Sequence, residues 1–260
     1  MKVWIFVVIL VLGAAGRGAA ADEVMDVPTR DGVTVRLALT IPASPSAVAV
    51  LFAGGHGTLE IGDDGTIARD GNALIRRRQA FADQGLVAAA IDAPSDQFAE
   101  NGKMADGFRE SAAHVADIRA VVAALRNRFA VPVWLVGTSR GSTSVAHAAI
   151  ELTDGRLDGI VLTSSIGVDH RRGGNLLNME LARISVPALV VHHEDDNCAV
   201  TPFAGAVEIA ARLTGAPASE LMRITGGKRG SKVCGPVSHH GFRGQRGKVF
   251  AAIADWIKSH

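Results

Sequence analysis

The chain has 260 residues, with 27 basic and 26 acidic side chains and a formal net charge of +1. Apolar residues at 48% and charged residues at 20% exclude a disordered chain, and the absence of a basic block excludes an electrostatic nucleic-acid binder. A chain of this length can bury a full core and is an ordinary size for one α/β domain.

Lys2, the apolar run 3–12 and the small residues Gly18-Ala19-Ala20-Ala21 form the pattern of a secretory signal peptide over 1–21, leaving 22–260 as one folded domain. The apolar run is short for a membrane-spanning helix, so no stable membrane partner is expected. Export to the periplasm or the medium follows, and there a disulfide between the two cysteines, Cys198 and Cys234, is permitted.

Residues 24–29 and 33–40 are β-rich and flank Asp31-Gly32, a hairpin turn signal, so two antiparallel strands open the domain. A short strand is expected at 47–53, a helix at 72–84 stopped by Gly85, and a buried strand at 86–92. Helical spacing of Val115, Ile118, Val122 and Leu125 marks a helix over 111–129. A strand at 133–137 and a small-residue helix at 140–152 come next, then strands at 157–163, 188–192 and 220–225. Helices at 203–213 and 246–258 follow the last two of these strands. Runs such as 133–136 and 188–191 are apolar without alternation, as in strands covered on both faces. This order predicts a mostly parallel eight-stranded sheet flanked by helices, with 166–185 as a short lid over the carboxyl ends of the strands.

Gly137-Thr138-Ser139-Arg140-Gly141 fits G-x-S-x-G and lies directly between a strand and a helix, the context of a nucleophile elbow. Its glycines allow strand and helix to approach, and the Arg140 N–H at the helix start is placed to stabilise an oxyanion. A serine nucleophile needs a base and a group to orient it. After the strand 188–191 comes His192-His193-Glu194-Asp195-Asp196, and after 220–225 a long loop ends in Ser238-His239-His240-Gly241-Phe242. Serine, acid and histidine thus occur in that order at the ends of successive strands. Adjacent residues on a strand end point to opposite sides and no spaced ligand pair accompanies them, so no metal site is expected at 192–196.

Over its mature length the chain resembles the α/β-hydrolase superfamily. His192-His193-Glu194-Asp195-Asp196 is similar to the family's H-G-x-x-D segment, which implies Asp196 as the triad acid, with Asp195 as the alternative. His193 stands where the family usually has glycine. The His240-Gly241-Phe242 segment resembles the family's histidine loop and favours His240 over His239 as the base. The glycine-rich run 53–57 occupies the place of the second oxyanion donor, with Gly55 and His56 as candidates. Cys198 lies two residues after Asp196 and Cys234 six before His240, so a bridge would tie the acid loop to the base loop.

The resemblance implies ester hydrolysis through an acyl-enzyme on Ser139, with no cofactor and with a small-molecule or polymer-bound ester as substrate. A peptidase or amidase using the same triad is the competing enzyme reading, and a non-catalytic binding protein on this scaffold is the competing class. Dehalogenase and epoxide-hydrolase relatives carry aspartate at the elbow, where this chain has Ser139. Asp92 and its neighbours are expected to border the site, Arg76-Arg77-Arg78 to be a solvated helix face, and Arg171-Arg172 to be exposed on the lid or to meet an anionic substrate. No feature fixes an oligomeric state.

Overall fold

The computed structural model describes residues 21–98 and 102–260, so the expected signal segment lies outside the described residues up to Ala21. Strands β1 (Ala21–Arg30) and β2 (Val33–Ile41) form the expected antiparallel hairpin about Asp31-Gly32. Alternation of strand and helix follows through β3 (Ala47–Phe52), α1 (Arg78–Ala82), β4 (Leu86–Ile91), α2 (Ala112–Phe129), β5 (Val133–Thr138) and α3 (Arg140–Glu151). The chain continues with β6 (Gly159–Thr163), β7 (Ala188–His193), α4 (Phe203–Arg212), β8 (Ser219–Ile224) and α5 (Arg246–Ser259).

All eight strands form one sheet in the order β1-β2-β4-β3-β5-β6-β7-β8. β2 pairs antiparallel with β1 and β4, and β3 to β8 run parallel, as expected. From β3 the chain leaves to β4 on one side and returns to β5 on the other. That reversal opens a crevice at the carboxyl ends of β3 and β5, where ligands bind in open α/β sheets.

Both faces of the central strands are covered. In β3, Val48, Val50 and Phe52 join a core with α2, α3 and α4, while Ala47, Ala49 and Leu51 join a second core with α1 and α5. In β5, Val133 and Leu135 take the first side and Trp134 and Val136 the second. This explains why those runs show no polar alternation. Helix α2 presents Val115, Ile118, Val121, Val122 and Leu125 to the sheet, and α5 presents Val249, Phe250, Ile253 and Ile257. The edge strand β8 carries Glu220 and Arg223 on its more exposed positions, a common guard against edge-to-edge pairing.

The helix expected over 72–84 is reduced to a 3-10 turn at Ile75–Arg77 and the single α-helical turn and a half of α1. Asn72 caps the start of this stretch, its side-chain oxygen accepting from the Leu74 and Ile75 N–H groups, and the break between the two pieces falls at Arg77, whose φ −112° and ψ 17° are not helical. The segment 166–185 forms two 3-10 turns, Leu176–Asn178 and Leu181–Arg183, with Leu176, Leu181 and Ile184 buried beneath it. No helix among the described residues is long and apolar enough to cross a membrane.

Helix α2 begins at Ser111, whose side chain accepts from the His114 N–H at 3.2 Å. Ser111→Ala is expected to cost about 1 kcal/mol, read as a fall of roughly 2–4 °C in the thermal unfolding midpoint with the far-ultraviolet spectrum unchanged.

Candidate active site

Ser139 stands between β5 and α3 with φ 52° and ψ −124°, a backbone conformation few side chains adopt. Close packing around it holds the turn. A Cβ on Gly137 would lie 2.5 Å from the Gly141 carbonyl oxygen, and one on Gly141 would overlap the Phe52 carbonyl of β3. The Ser139 N–H donates to the Thr163 carbonyl at 2.9 Å, tying the turn to β6 as well. With the backbone fixed in this way, the serine side chain is raised into the crevice.

The acid and histidine loops place one pair in contact. His240 Nδ1 lies 2.8 Å from Asp196 Oδ2, both side chains being buried. Thr201 Oγ1 donates to the same carboxylate oxygen at 2.9 Å and lies 3.1 Å from His240 Nδ1, so the proton on Nδ1 is shared between two acceptors. This fixes the tautomer and leaves Nε2 as the basic nitrogen. The Cys198 N–H donates to Asp196 Oδ1 at 3.0 Å, and His192 Nε2, 3.4 Å from Oδ2, bonds the Thr201 carbonyl at 2.9 Å. Burial opposes the Asp196 charge, but the hydrogen bonds from His192, His240 and the Cys198 N–H outweigh it and hold the carboxyl well below the ordinary carboxylate range.

Asp195 and His239 meet differently. Asp195 is exposed, and it is its backbone carbonyl that accepts from His239 Nδ1 at 3.0 Å. The ring of His239 stacks on His193 with centroids 4.2 Å apart. His193 Nδ1 accepts from the Asp195 N–H and Nε2 bonds the Gly226 carbonyl, so the imidazole closes the turn by hydrogen bonding where a glycine would serve by conformation. Ligand atoms of His193, Asp195 and His239 lie within 4.8 Å of one another, and both His193 nitrogens are already engaged in hydrogen bonds.

Cys198 and Cys234 form a disulfide across a sequence separation of 36, joining the loop after β7 to the loop after β8. Cys234 lines the cleft in front of Ser139, whereas Cys198 is buried beside Asp196. Three further supports carry no motif. Thr201 bridges acid and base as described. Ser164, buried at the end of β6 with φ 44°, donates its hydroxyl to the His240 carbonyl at 2.8 Å. Arg109, also buried, donates to the Ala53 carbonyl at 3.1 Å and to Ser144 Oγ at 2.8 Å, clamping the 53–57 loop to α3. Burial, and then the charge of Arg140, push the Arg109 guanidinium down to about 9, still cationic at neutral pH. Only position at a strand end hinted at Ser164, and nothing local hinted at Arg109.

The 53–57 loop follows β3 as expected. Its Gly55 and His56 N–H groups, like the Arg140 N–H at the start of α3, have no acceptor among the described residues. His56 lines the cleft, and its Nδ1 accepts from Arg69 at 3.0 Å. Burial and the charges of Lys103, Arg69, Arg172 and Arg140 lower its pKa, so the ring is neutral. Ser139, His240, Gly55 and His56 all line one cleft of about 440 Å³, with Asn72 and Pro236 on its rim. Asp92 does not border it; that carboxylate is buried, accepting from the Leu59, Ile61 and Ala93 N–H groups, and burial raises its pKa.

No family model matches the sequence, and no curated protein matches it either. Solved structures do. A cold-adapted esterase from an Arctic intertidal metagenomic library superposes with a TM-score of 0.63 at 18% identity, covering 94% of this chain and 95% of that one. The Pyrobaculum calidifontis esterase gives 0.65 at 18% identity over 94% and 87% of the two chains. XC6422 from Xanthomonas campestris, described as an α/β serine hydrolase without lid, gives 0.58 at 14% identity over 92% and 95%. The chain has the α/β-hydrolase fold. Within that hydrolase fold the cleft lies at the carboxyl ends of the parallel strands, at the reversal between β3 and β5.

Replacing both cysteines by serine is expected to remove about 4 kcal/mol of loop-closure stabilisation and to lower the unfolding midpoint by roughly 10 °C, measured by calorimetry without reductant. Because the folded pKa of Asp196 lies below its unfolded value, its contribution is complete above the unfolded pKa and is lost as pH falls through the folded one. The stability gap between wild type and Asp196→Asn in urea titrations should therefore narrow as pH drops below about 4.

Proposed function

We propose that the protein is an exported carboxylic-ester hydrolase that works through an acyl-enzyme on Ser139. The observation that carries this reading is the 2.8 Å contact between His240 Nδ1 and Asp196, made behind a cleft that His240 shares with a serine in a strained elbow. A histidine held by its Nδ1 has its Nε2 free to take a proton, and Ser139 is the hydroxyl of the elbow that lines the same cleft.

In the first half-reaction, Ser139 Oγ attacks the ester carbonyl carbon as its proton passes to His240 Nε2. Asp196 stabilises the imidazolium formed, and the backbone N–H groups of Arg140 and of Gly55 or His56 hold the oxyanion. The tetrahedral intermediate collapses, the alkoxide leaves with the proton from His240, and the acyl group stays on Ser139. Water then attacks the acyl-enzyme with His240 again as base, releasing the acid and restoring the serine. Every step is proton transfer and acyl transfer, so the side chains present suffice.

The esterases that share the fold support an ester over an amide, and the short 166–185 segment leaves the cleft open to a small or polymer-bound substrate. Export is supported by the Lys2-led apolar pattern at the N-terminus together with the disulfide.

A fluorophosphonate probe should label the purified protein once, on Ser139, and Ser139→Ala should lose labelling together with at least about a thousandfold in kcat for 4-nitrophenyl butanoate. Retention of either property by a folded Ser139→Ala protein would refute the assignment. Faster cleavage of the matching anilide than of the ester would favour the amidase reading.

A further inference from the structure

A second cleft of about 370 Å³ opens off the first at Gly55, Ser139 and Cys234. Its polar walls are Arg140, His170, Arg171 and Arg172, and its apolar walls Ile166 and Val200. Three guanidinium groups thus border a space that begins at the nucleophile, in a chain whose overall charge is only +1. The concentration of charge is local.

Among the described residues the carboxylates on its border are Asp106 and Glu110, the latter also against Gly173 of the arginine loop, and neither pairs with Arg171 or Arg172. The Arg140 side chain is only 13% exposed, yet its contacts, to the Gly55 carbonyl and to the Asp106 carboxylate, are both 3.4 Å long. The side chains of Arg171 and Arg172 have no hydrogen-bond or ion-pair partner among the described residues. Burial lowers the Arg140 pKa, Asp106 and Glu110 oppose this, and Arg172 lowers it further, so the two arginines feel each other across the cleft. Arg172 and Arg140 also act together on His56, on the oxyanion side of Ser139. A half-buried cation with long contacts and a like-charged neighbour is unfavourable until an anion joins it.

The loop that carries Arg171 and Arg172 is built to hold them. Asp169 Oδ1 accepts from Asn175 Nδ2 at 2.8 Å and from Asn178 Nδ2 at 2.7 Å, closing the base of the loop. The Arg172 N–H donates to His170 Nδ1 at 3.0 Å, and Thr143 of α3 donates to the Gly174 carbonyl at 3.0 Å. A preorganised loop removes the backbone part of the ordering cost, leaving that of the arginine side chains, and the guanidinium fork matches the paired oxygens of a carboxylate or phosphate.

We propose that this second cleft is an anion subsite, and that the ester cleaved at Ser139 carries a carboxylate or phosphate group in the half that enters it. The proposal rests on the esterase reading for the word ester, but the anion site stands apart from it. On that view Arg171 and Arg172 select the substrate, and Arg140 supplies a backbone N–H to the oxyanion and a side chain to the substrate's charge.

The test compares kcat/KM at low salt for 4-nitrophenyl butanoate, 4-nitrophenyl hydrogen succinate and the 4-nitrophenyl ester of 3-phosphonopropanoate. A second pair, phenyl butanoate and 4-carboxyphenyl butanoate, carries the charge in the alcohol half. At least one anionic ester should be preferred by roughly tenfold or more, and that ratio should fall by a similar factor in Arg171→Gln/Arg172→Gln and in 0.5 M salt, on the order expected for charge-assisted pairs. Whether the carboxylate or the phosphonate is preferred identifies the anion. Calorimetric binding of succinate and of inorganic phosphate to Ser139→Ala, lost when both arginines are also replaced by glutamine, is the readout that needs no turnover. Binding without cleavage of any ester would uphold the anion site while counting against the esterase reading. Absence of both anion preference and anion binding, or either one surviving the double replacement in a folded protein, would overturn the proposal.

Discussion

At φ 52° Ser139 occupies a conformation that costs a serine roughly 1–3 kcal/mol, and the rest of the cleft is arranged around the contacts that keep it there. Three strands contribute. Gly141 of α3 lies against the Phe52 carbonyl of β3, Gly137 of β5 lies against Gly141, and the Ser139 N–H is taken by Thr163 of β6. None of these approaches tolerates a Cβ at either glycine. The same closeness brings the 53–57 loop at the end of β3 beside the start of α3, so Gly55 and His56 line one cleft and Gly55 and Arg140 the one that adjoins it.

The histidine is held by a different device. It lies 16 residues (240 − 224) beyond the end of β8, in a loop rich in glycine with little regular structure of its own. It is positioned instead from outside: by Ser164 on the His240 carbonyl, by Asp196 and Thr201 on Nδ1, and by the disulfide that leads back to the Asp196 loop. A long loop loses much entropy when it is fixed, and a covalent tie reduces that loss by restricting the unfolded chain. An oxidising compartment is what makes such a tie durable.

Charge is distributed unevenly about the cleft. Asp196, behind His240, is the buried anion and is compensated by hydrogen bonds from several donors. Arg109 and Arg140, on the oxyanion side, are cations with neutral or distant partners. The field across Ser139 therefore runs from the Asp196 anion behind His240 to the cations Arg109 and Arg140 on the side of the 53–57 loop.

Much of this was legible before any coordinates, for a physical reason in each case. Strands buried on both faces read as apolar runs, the Asp31-Gly32 turn reads as a hairpin, and G-x-S-x-G between strand and helix marks a close backbone approach. Those are local consequences of sterics and burial, and local patterns carry them. The helix expected at 72–84 is interrupted at Arg77, whose backbone leaves the helical region, a local departure that composition does not reveal. The histidine loop pointed to His240, but the support from Ser164, Thr201 and Arg109 and the meeting of Arg140 with Arg171 and Arg172 join residues 31 to 76 positions apart. Residues so far apart become neighbours only when the sheet brings strand ends together, so the sequence by itself determined the order of strands and helices and the elbow at Ser139, and the tertiary structure alone decided what surrounds it.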